Sequence, residues 1–240
     1  MPEPFTHSQF VYKKYLDHLI EPGTRWLDIG CGDSVLADWL PDSVEFQQSL
    51  IRRAKLACGC DPVDDRPHRA GLEKYVGPCE VLPYKDGSFD VATANMVVEH
   101  VERPGEFARE VGRVLREGGR LLLHTPNLLF LPILFASMLP SSIVRTVAKF
   151  TDGRKDEEIF PTRYRLNTRE AISSLPGFRV EELLCVETAP VLEKIPVAGA
   201  MEKLLVKSTR WEMLQDLRAD WIGVLRKCES SSGQGIAGVV

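Results

Sequence analysis

The apolar positions along the first half of the chain switch between two spacings. Short apolar runs bounded by turn residues predict buried strands over residues 25–29, 56–61, 89–94 and 120–125, and residues 74–82 are expected to hold a short third strand. Apolar residues three to four positions apart predict a helix over 5–20 and another that closes at Gly118-Gly119. A further helix is expected to start within 35–40, before a long connection over 41–55. Strands that alternate with helices predict a parallel sheet with helices on both faces.

The alternation breaks after Pro126. Residues 127–164 are first apolar and then charged, and they predict an inserted segment after the fifth strand; residues 187–219 predict a second insertion. The serine- and glycine-rich end of the chain predicts a flexible tail over 230–240. We therefore expect a single domain over 1–229 that carries two insertions.

Regular structure is predicted again between and after the insertions. Asn167, with Glu170 three residues later, is typical of a capping box that opens a helix ending at Leu175. Further strands are predicted over 178–186 and 220–227. The fold class is therefore α/β with a doubly wound, mostly parallel sheet.

Composition restricts the classes of partner. The chain has 240 residues with a net charge of -4, and such a charge does not attract nucleic acid phosphates. Its six cysteines form no CxxC pair, so we expect no metal site and a cytoplasmic protein with reduced thiols. The apolar stretch over 128–139 is shorter than the roughly 20 residues that span a bilayer, and it predicts a core segment or a peripheral membrane contact. Nothing in the sequence indicates an oligomeric state.

A glycine-rich loop follows the first predicted strand. The loop reads Asp28-Ile-Gly30-Cys-Gly32, and only glycine lets backbone turn this tightly beside a ligand. A dinucleotide-binding loop needs a third glycine three residues after Gly32, where this chain has Val35. A carboxylate beside the loop repels a pyrophosphate but suits an ammonium or sulfonium group. The loop therefore favours S-adenosylmethionine over NAD.

The second predicted strand ends at Asp61-Pro62. A carboxylate at this end of a strand can accept hydrogen bonds from both hydroxyls of a ribose. An aspartate before a proline is also common in an ordinary solvated turn. Its position after the glycine loop favours the ribose interpretation.

Three further runs extend the pattern. They are EVLPYKDGSFD over 80–90, NMVVEHV over 95–101 and LREGGRLLLHTPN over 115–127. Together with the glycine loop they resemble the class I S-adenosylmethionine-dependent methyltransferases of the UbiE-like kind, over about residues 24–127. The resemblance implies a Rossmann-like, seven-stranded methyltransferase fold, with S-adenosylmethionine as cofactor and S-adenosylhomocysteine as product. Pro78 and Ser34 depart from the family pattern.

The resemblance also assigns cofactor contacts to particular positions. The methionine part would be lined by the loop and by the exit of the fourth strand, the ribose held by Asp61, and the adenine bordered by residues after the second and third strands. In chain order these residues are Asp28, Gly30, Cys31, Gly32, Asp61, Pro62, Cys79, Glu80, Val81, Asn95 and Met96.

Methyl transfer needs a base only when the acceptor must lose a proton early. His100, just after the fourth strand, is the candidate base, and packing of the loop is its alternative role. His124 is a weaker candidate. Arg163 and Arg165 lie in an aromatic segment that could recognise an acidic or glycan-like acceptor, or could be a solvated surface loop.

The sequence thus predicts a methyltransferase for a small-molecule, lipid-linked or glycan acceptor. The alternative is a cofactor-binding partner or scaffold subunit without turnover, which Pro78 and the lack of an evident base motivate. An NAD-dependent oxidoreductase is disfavoured by Val35.

Overall fold

The fold is known from a computed structural model that describes residues 7–63, 67–139, 160–188 and 196–229. The predicted tail over 230–240 and most of the charged half of the first predicted insertion lie outside these residues. The assignment of 1–229 to a single domain stays a prediction.

Strands and helices both occur through the described part of the first 126 residues, although no described α-helix separates the second, third and fourth strands. The strands are β1 (Arg25–Ile29), β2 (Leu56–Asp61), β3 (Glu73–Val76), β4 (Phe89–Asn95), β5 (Leu115–Pro126), β6 (Phe178–Val186) and β7 (Asp220–Lys227). The α-helices are α1 (Ser8–Leu19), α2 (Ser43–Arg53), α3 (Pro104–Val114), α4 (Leu131–Met138), α5 (Arg169–Ser173) and α6 (Pro196–Ser208). Two 3-10 helices cover Val98–His100 and Glu212–Leu217.

The seven strands form one sheet in the order β3-β2-β1-β4-β5-β7-β6. Every pair among the first five strands is parallel, whereas β7 runs antiparallel to both β5 and β6. The predicted α/β class with a mostly parallel sheet is confirmed.

Each face of the sheet has its own apolar core. Successive residues of a strand point to opposite faces, so Trp26 joins one core and Leu27 the other. The first core also contains Tyr12 of α1, and the second contains Phe107 of α3. Helices cover both faces, as a doubly wound fold requires.

The helix expected to start within 35–40 is wrong, because these residues form turns and α2 begins only at Ser43. Pro41 has no N–H to donate to a helical ladder, and Asp42 has a left-handed φ of +55°. Val35, Leu36 and Leu40 are buried without helical structure, which explains their misleading spacing.

Two boundaries also differ from the predictions. Thr168 rather than Asn167 caps α5, since its hydroxyl accepts a hydrogen bond from the Ala171 N–H at 3.2 Å. Helix α3 ends at Val114, before the predicted glycines. The short strand expected within 74–82 is β3, at the start of that range. Asn167 is instead buried against the end of β5, where its amide donates to the Thr125 hydroxyl and the Pro126 carbonyl, both at 2.8 Å.

Candidate functional site

The glycine loop lies where β1 meets the ends of β2 and β4. Gly30 and Gly32 have left-handed φ values of +66° and +48°, which favour glycine. The N–H groups of Gly30 and Cys31 both donate to the Cys60 carbonyl, at 2.7 and 3.1 Å. A methyl group built on Gly30 would come within 2.3 Å of Val97, so a side chain here would push the loop away from β4.

Asp61, at the end of β2, is linked to this loop. Its Oδ2 accepts from the Gly32 N–H and its Oδ1 from the Val63 N–H, each at 3.1 Å. These two bonds hold the carboxylate beside the glycine loop. Lys74 of β3 fixes the same loop by donating to the Gly32 carbonyl at 2.8 Å. Pro62 follows as an exposed residue.

Asp28 lies beneath the loop and is only 1% exposed. Its carboxylate accepts a hydrogen bond from the Thr93 hydroxyl of β4, which itself accepts from the Trp26 indole N–H at 2.8 Å. Burial raises the pKa of Asp28 to about 8, the Thr93 hydrogen bond opposes this rise, and the charge of Asp61 adds to it. Asp28 therefore braces β1 against β4 from within the core.

Asn95, the last residue of β4, joins four segments through its amide. Its Nδ2 donates to the Val35 carbonyl at 2.9 Å and to Gln9 Oε1 at 3.1 Å. Its Oδ1 accepts from Gln9 Nε2 at 3.1 Å and lies 2.8 Å from His124 Nδ1. Met96 follows with a left-handed φ of +57°, and its N–H donates to the His124 carbonyl at 2.8 Å. The exit of β4 is thus held in one conformation from several sides.

Helix α1 covers this end of the sheet. Besides the paired amides of Gln9 and Asn95, the Tyr12 ring stacks on the His124 ring with centroids 5.5 Å apart. His124 Nε2 lies 3.5 Å from Asp220 Oδ2 at the start of β7, so the two form an ion pair when the ring is protonated. His7, the N-cap of α1, lies 3.3 Å from the Thr188 hydroxyl.

The sequence did not identify Gln9, Thr93 or Asp220 as site residues. Gln9 is one polar residue of an amphipathic helix, and its partner Asn95 is 86 positions away. No local signal distinguishes such a glutamine from one that faces water.

Cys79, Glu80 and Val81 occupy the turn after β3. The Cys79 thiol donates to a Glu80 carboxylate oxygen at 3.6 Å, and burial raises the pKa of this thiol. Val81 is 65% exposed. The turn is tied to β2 because the Gly77 N–H donates to the Asp61 carbonyl at 2.9 Å. The turn that holds the three predicted adenine-edge residues therefore begins next to Asp61.

His100 contacts a segment outside the glycine loop. Its Nδ1 lies 3.0 Å from the Pro161 carbonyl oxygen, and its ring packs edge-on against Phe160. A carbonyl only accepts, so Nδ1 carries the proton of the neutral ring and Nε2 is the basic nitrogen. Glu99 is buried, accepts from the Thr125 hydroxyl at 3.2 Å, and its carbonyl accepts from the Arg163 N–H at 2.6 Å.

No group of three or more metal-binding side chains is arranged to hold an ion among the described residues. Likewise, within the described ranges no helix is long and apolar enough to cross a membrane.

The core of this chain is similar to known methyltransferases. Residues 27–123 match the family model described as a methyltransferase domain. The chain is 30% identical over 120 residues to the ubiquinone/menaquinone biosynthesis C-methyltransferase UbiE of Geotalea uraniireducens, covering 47% of this chain and 51% of that protein. It is 34% identical over 111 residues to the 27-O-demethylrifamycin SV methyltransferase of Amycolatopsis mediterranei, covering 43% of this chain and 39% of that protein. The match thus spans about half or less of those relatives.

Solved structures share the whole fold at low identity. Geranyl diphosphate C-methyltransferase from Streptomyces coelicolor A3(2) superposes with a TM-score of 0.56 at 16% identity, covering 91% of this chain and 80% of that one. An S-adenosylmethionine-dependent methyltransferase from Mesorhizobium loti gives a TM-score of 0.53 at 17% identity, covering 92% and 98%. The sheet and its helices therefore have the Rossmann-like methyltransferase fold.

Proposed function

We propose that this chain transfers a methyl group from S-adenosylmethionine to a small-molecule, lipid-linked or glycan acceptor. The premise is that it belongs to the class I S-adenosylmethionine-dependent methyltransferases and carries their domain over residues 27–123. S-adenosylhomocysteine is the other product. The carrying observation is the linkage between Asp61 and the glycine loop.

The residues present fit the donor. Asp61 is held beside the glycine loop by the Gly32 and Val63 N–H groups, and a carboxylate at this end of a strand can accept hydrogen bonds from a ribose diol. Glycine at position 30 leaves the space that a side chain would fill beside Val97. The turn at 79–81 would border the adenine, and Asn95 with Met96 would border the methionine part.

The donor, when bound, supplies an activated methyl group on a sulfonium, so the protein mainly positions the acceptor and excludes water. Helix α1 provides the exclusion, because Gln9 and Tyr12 cover the exits of β4 and β5. His100 Nε2 takes the acceptor proton where the acceptor atom must lose one. Asp28 positions the loop from beneath, since its carboxyl group is occupied by Thr93.

Titration calorimetry with S-adenosylmethionine and S-adenosylhomocysteine tests the donor site. Asp61→Asn removes the charge and one acceptor oxygen, so we expect about 10- to 150-fold weaker binding, the equivalent of one charge-assisted hydrogen bond. Asp38→Asn is the matched control, because this exposed carboxylate of the neighbouring loop pairs with Arg69 at 2.6 Å and lies outside the proposed donor site. Equal affinity of both variants would refute the ribose assignment.

Methyl transfer across a panel of small, lipid-linked and glycan acceptors tests the reaction. Binding of the donor without transfer to any acceptor would favour the scaffold alternative. His100→Gln should lower the rate at saturating donor and remove the acidic limb of the pH profile, where protonation of a base stops proton abstraction, while donor affinity stays unchanged. His18→Gln, at the last turn of α1, is the control. An unchanged pH profile in the His100 variant would exclude it as the base.

A further inference from the structure

His124, near the end of β5, is buried at the end of the sheet that carries the glycine loop. Its side chain is 1% exposed, and its ring stacks on the Tyr12 ring of α1. Its Nδ1 lies 2.8 Å from Asn95 Oδ1 of β4, and its Nε2 lies 3.5 Å from Asp220 Oδ2 of β7. The two ring nitrogens therefore face oxygen atoms from two different strands.

The Asn95 amide has one orientation that satisfies its neighbours. Its Nδ2 donates to the Val35 main-chain carbonyl at 2.9 Å, and a carbonyl oxygen only accepts. Turning the amide over would place Oδ1 against that carbonyl. Oδ1 therefore faces His124, and because an amide oxygen also only accepts, the contact is a hydrogen bond only when Nδ1 of the ring carries a proton.

Asp220 makes the opposite demand on the same ring. A carboxylate also only accepts, and hydrogen bonds to it are stronger than those to a neutral amide oxygen, so it favours a proton on Nε2. A neutral imidazole has one N–H and serves one of the two oxygens, whereas the protonated ring serves both. When His124 becomes neutral, the proton that leaves is therefore the one on Nδ1, which faces the weaker acceptor.

We propose that His124 is a positioning residue of the donor site, which in its protonated form holds the Asn95 amide at the exit of β4 and releases it when the ring becomes neutral. This inference rests on the proposed function, in which Asn95 and Met96 border the methionine part of the donor. The Met96 N–H donates to the His124 carbonyl at 2.8 Å, so one residue of β5 contacts both positions. His124 is not the base in this assignment, because its side chain is buried and both ring nitrogens face protein oxygens.

Ionisable side chains of two elements face this ring. His7 and Tyr12 face it from α1 and Asp220 faces it from β7, whereas Asn95 of β4 is uncharged. Burial lowers the pKa of His7 below its ordinary 6.5, and burial raises the pKa of Tyr12 well above 10. Tyr12 therefore stays neutral over the pH range in which histidines titrate, and His7 loses its charge earlier in that range than an ordinary histidine.

Nitrogen NMR of the imidazole rings, without any donor, tests the contact itself. At pH 8 we expect the remaining ring proton of wild-type His124 on Nε2, beside the carboxylate. In Asp220→Asn the amide that replaces the carboxylate can donate to Nε2, so the ring proton should lie on Nδ1. The His124 signals are identified by their loss in His124→Asn. The same tautomer in the wild type and in Asp220→Asn would overturn the proposal.

Titration calorimetry with S-adenosylmethionine tests the effect on the donor. Between pH 6 and pH 8 the affinity of the wild type should fall about 2- to 12-fold relative to that of Asp220→Asn, the equivalent of one hydrogen bond. The two proteins share Asp28, with its pKa of about 8, so its titration cancels in this comparison. Equal pH dependence of the two affinities would overturn the proposal.

Two replacements of His124 separate positioning from packing. The amide nitrogen of asparagine can take the place of Nδ1, and that of glutamine the place of Nε2. At pH 6, His124→Asn should therefore keep the donor affinity and His124→Gln should lose about 2- to 12-fold. Glutamine fills the buried space better, so His124→Gln should nevertheless have the higher Tm. An order of affinities that follows Tm would overturn the proposal.

His18→Asn is the matched control, because this histidine of α1 is exposed and should leave donor affinity and its pH dependence unchanged. The two levels of the argument fail differently. A wild type that binds no donor would refute the proposed function and the positioning role together. Normal donor binding with a failed tautomer test would refute only the role of His124.

Discussion

Replacing Asp28 with asparagine should make the protein more stable at alkaline pH. Asp28 is fully enclosed beneath the glycine loop, and its carboxyl group has a single hydrogen bond, from the Thr93 hydroxyl, among the contacts described above. Its pKa rises from an ordinary 3.8 to about 8, chiefly because burial disfavours the charged form. Asparagine has nearly the same shape and no charge to bury.

The size of the effect follows from the shift of this pKa. One pKa unit corresponds to about 1.4 kcal/mol, so a shift of roughly four units bounds the cost of ionisation at about 6 kcal/mol. Because the folded pKa lies above the unfolded one, the stabilising contribution is complete below pH 4. It is lost progressively as the pH rises toward about 8.

Urea unfolding at pH 5, 7 and 9 measures this effect. We expect the free energy of unfolding of the wild type to fall, relative to Asp28→Asn, by several kcal/mol between pH 5 and pH 9. Asp38→Asn, at an exposed carboxylate, should follow the wild type over the same range. Parallel curves for the wild type and Asp28→Asn would show that Asp28 is not a buried titrating group.

Three other changes probe the same end of the sheet and its opposite edge. Gly30→Ala should abolish donor binding in calorimetry, and Val97→Ala in the same chain should restore part of it by removing the 2.3 Å contact; no recovery would mean that the left-handed φ alone sets the loss. Gln9→Leu should raise KM for the donor and lower Tm by a few degrees, since the Asn95 amide loses both reciprocal bonds; an unchanged melting curve would contradict this. Burial alone would raise the pKa of Asp90, but hydrogen bonds from arginine side chains lower this pKa to about 2. The wild type should therefore lose stability as the pH falls from about 4 to 2, and Asp90→Asn should abolish this loss.

Strands such as β1, β4 and β7 could be predicted from sequence because they are buried on both faces. In a run such as 25–29 neither face of the strand is solvated, because both faces of the sheet are covered. The buried run is therefore as long as the strand itself. The glycine loop and Asp61 could be placed for a related reason, since the exits of parallel strands meet at one edge. These features depend on short stretches of sequence.

The remaining features depend on distant partners. Val35 and Leu40 have helical spacing but are buried in a loop that Gln47 of α2 fastens, with its Oε1 accepting from the Val35 N–H at 2.8 Å. The sequence places Thr93 in a buried strand but does not show its partner. The register between β1 and β4 brings it next to Asp28. The spacing of residues along the chain does not predict such contacts.

The position of β7 has a consequence for how the chain folds during synthesis. Among the described strands it is last in chain order, yet it lies between β5 and β6 and forms the antiparallel ladders that join them. Until residue 227 has been made, β6 has no partner in the sheet and β5 keeps an open, aggregation-prone edge. The half-sheet that carries the donor loop can assemble early, whereas Asp220 reaches His124 only in the final step. A ribosome that stops before Asp220 would therefore release a chain whose glycine loop is formed but whose sheet is not closed, a natural substrate for chaperones and proteases.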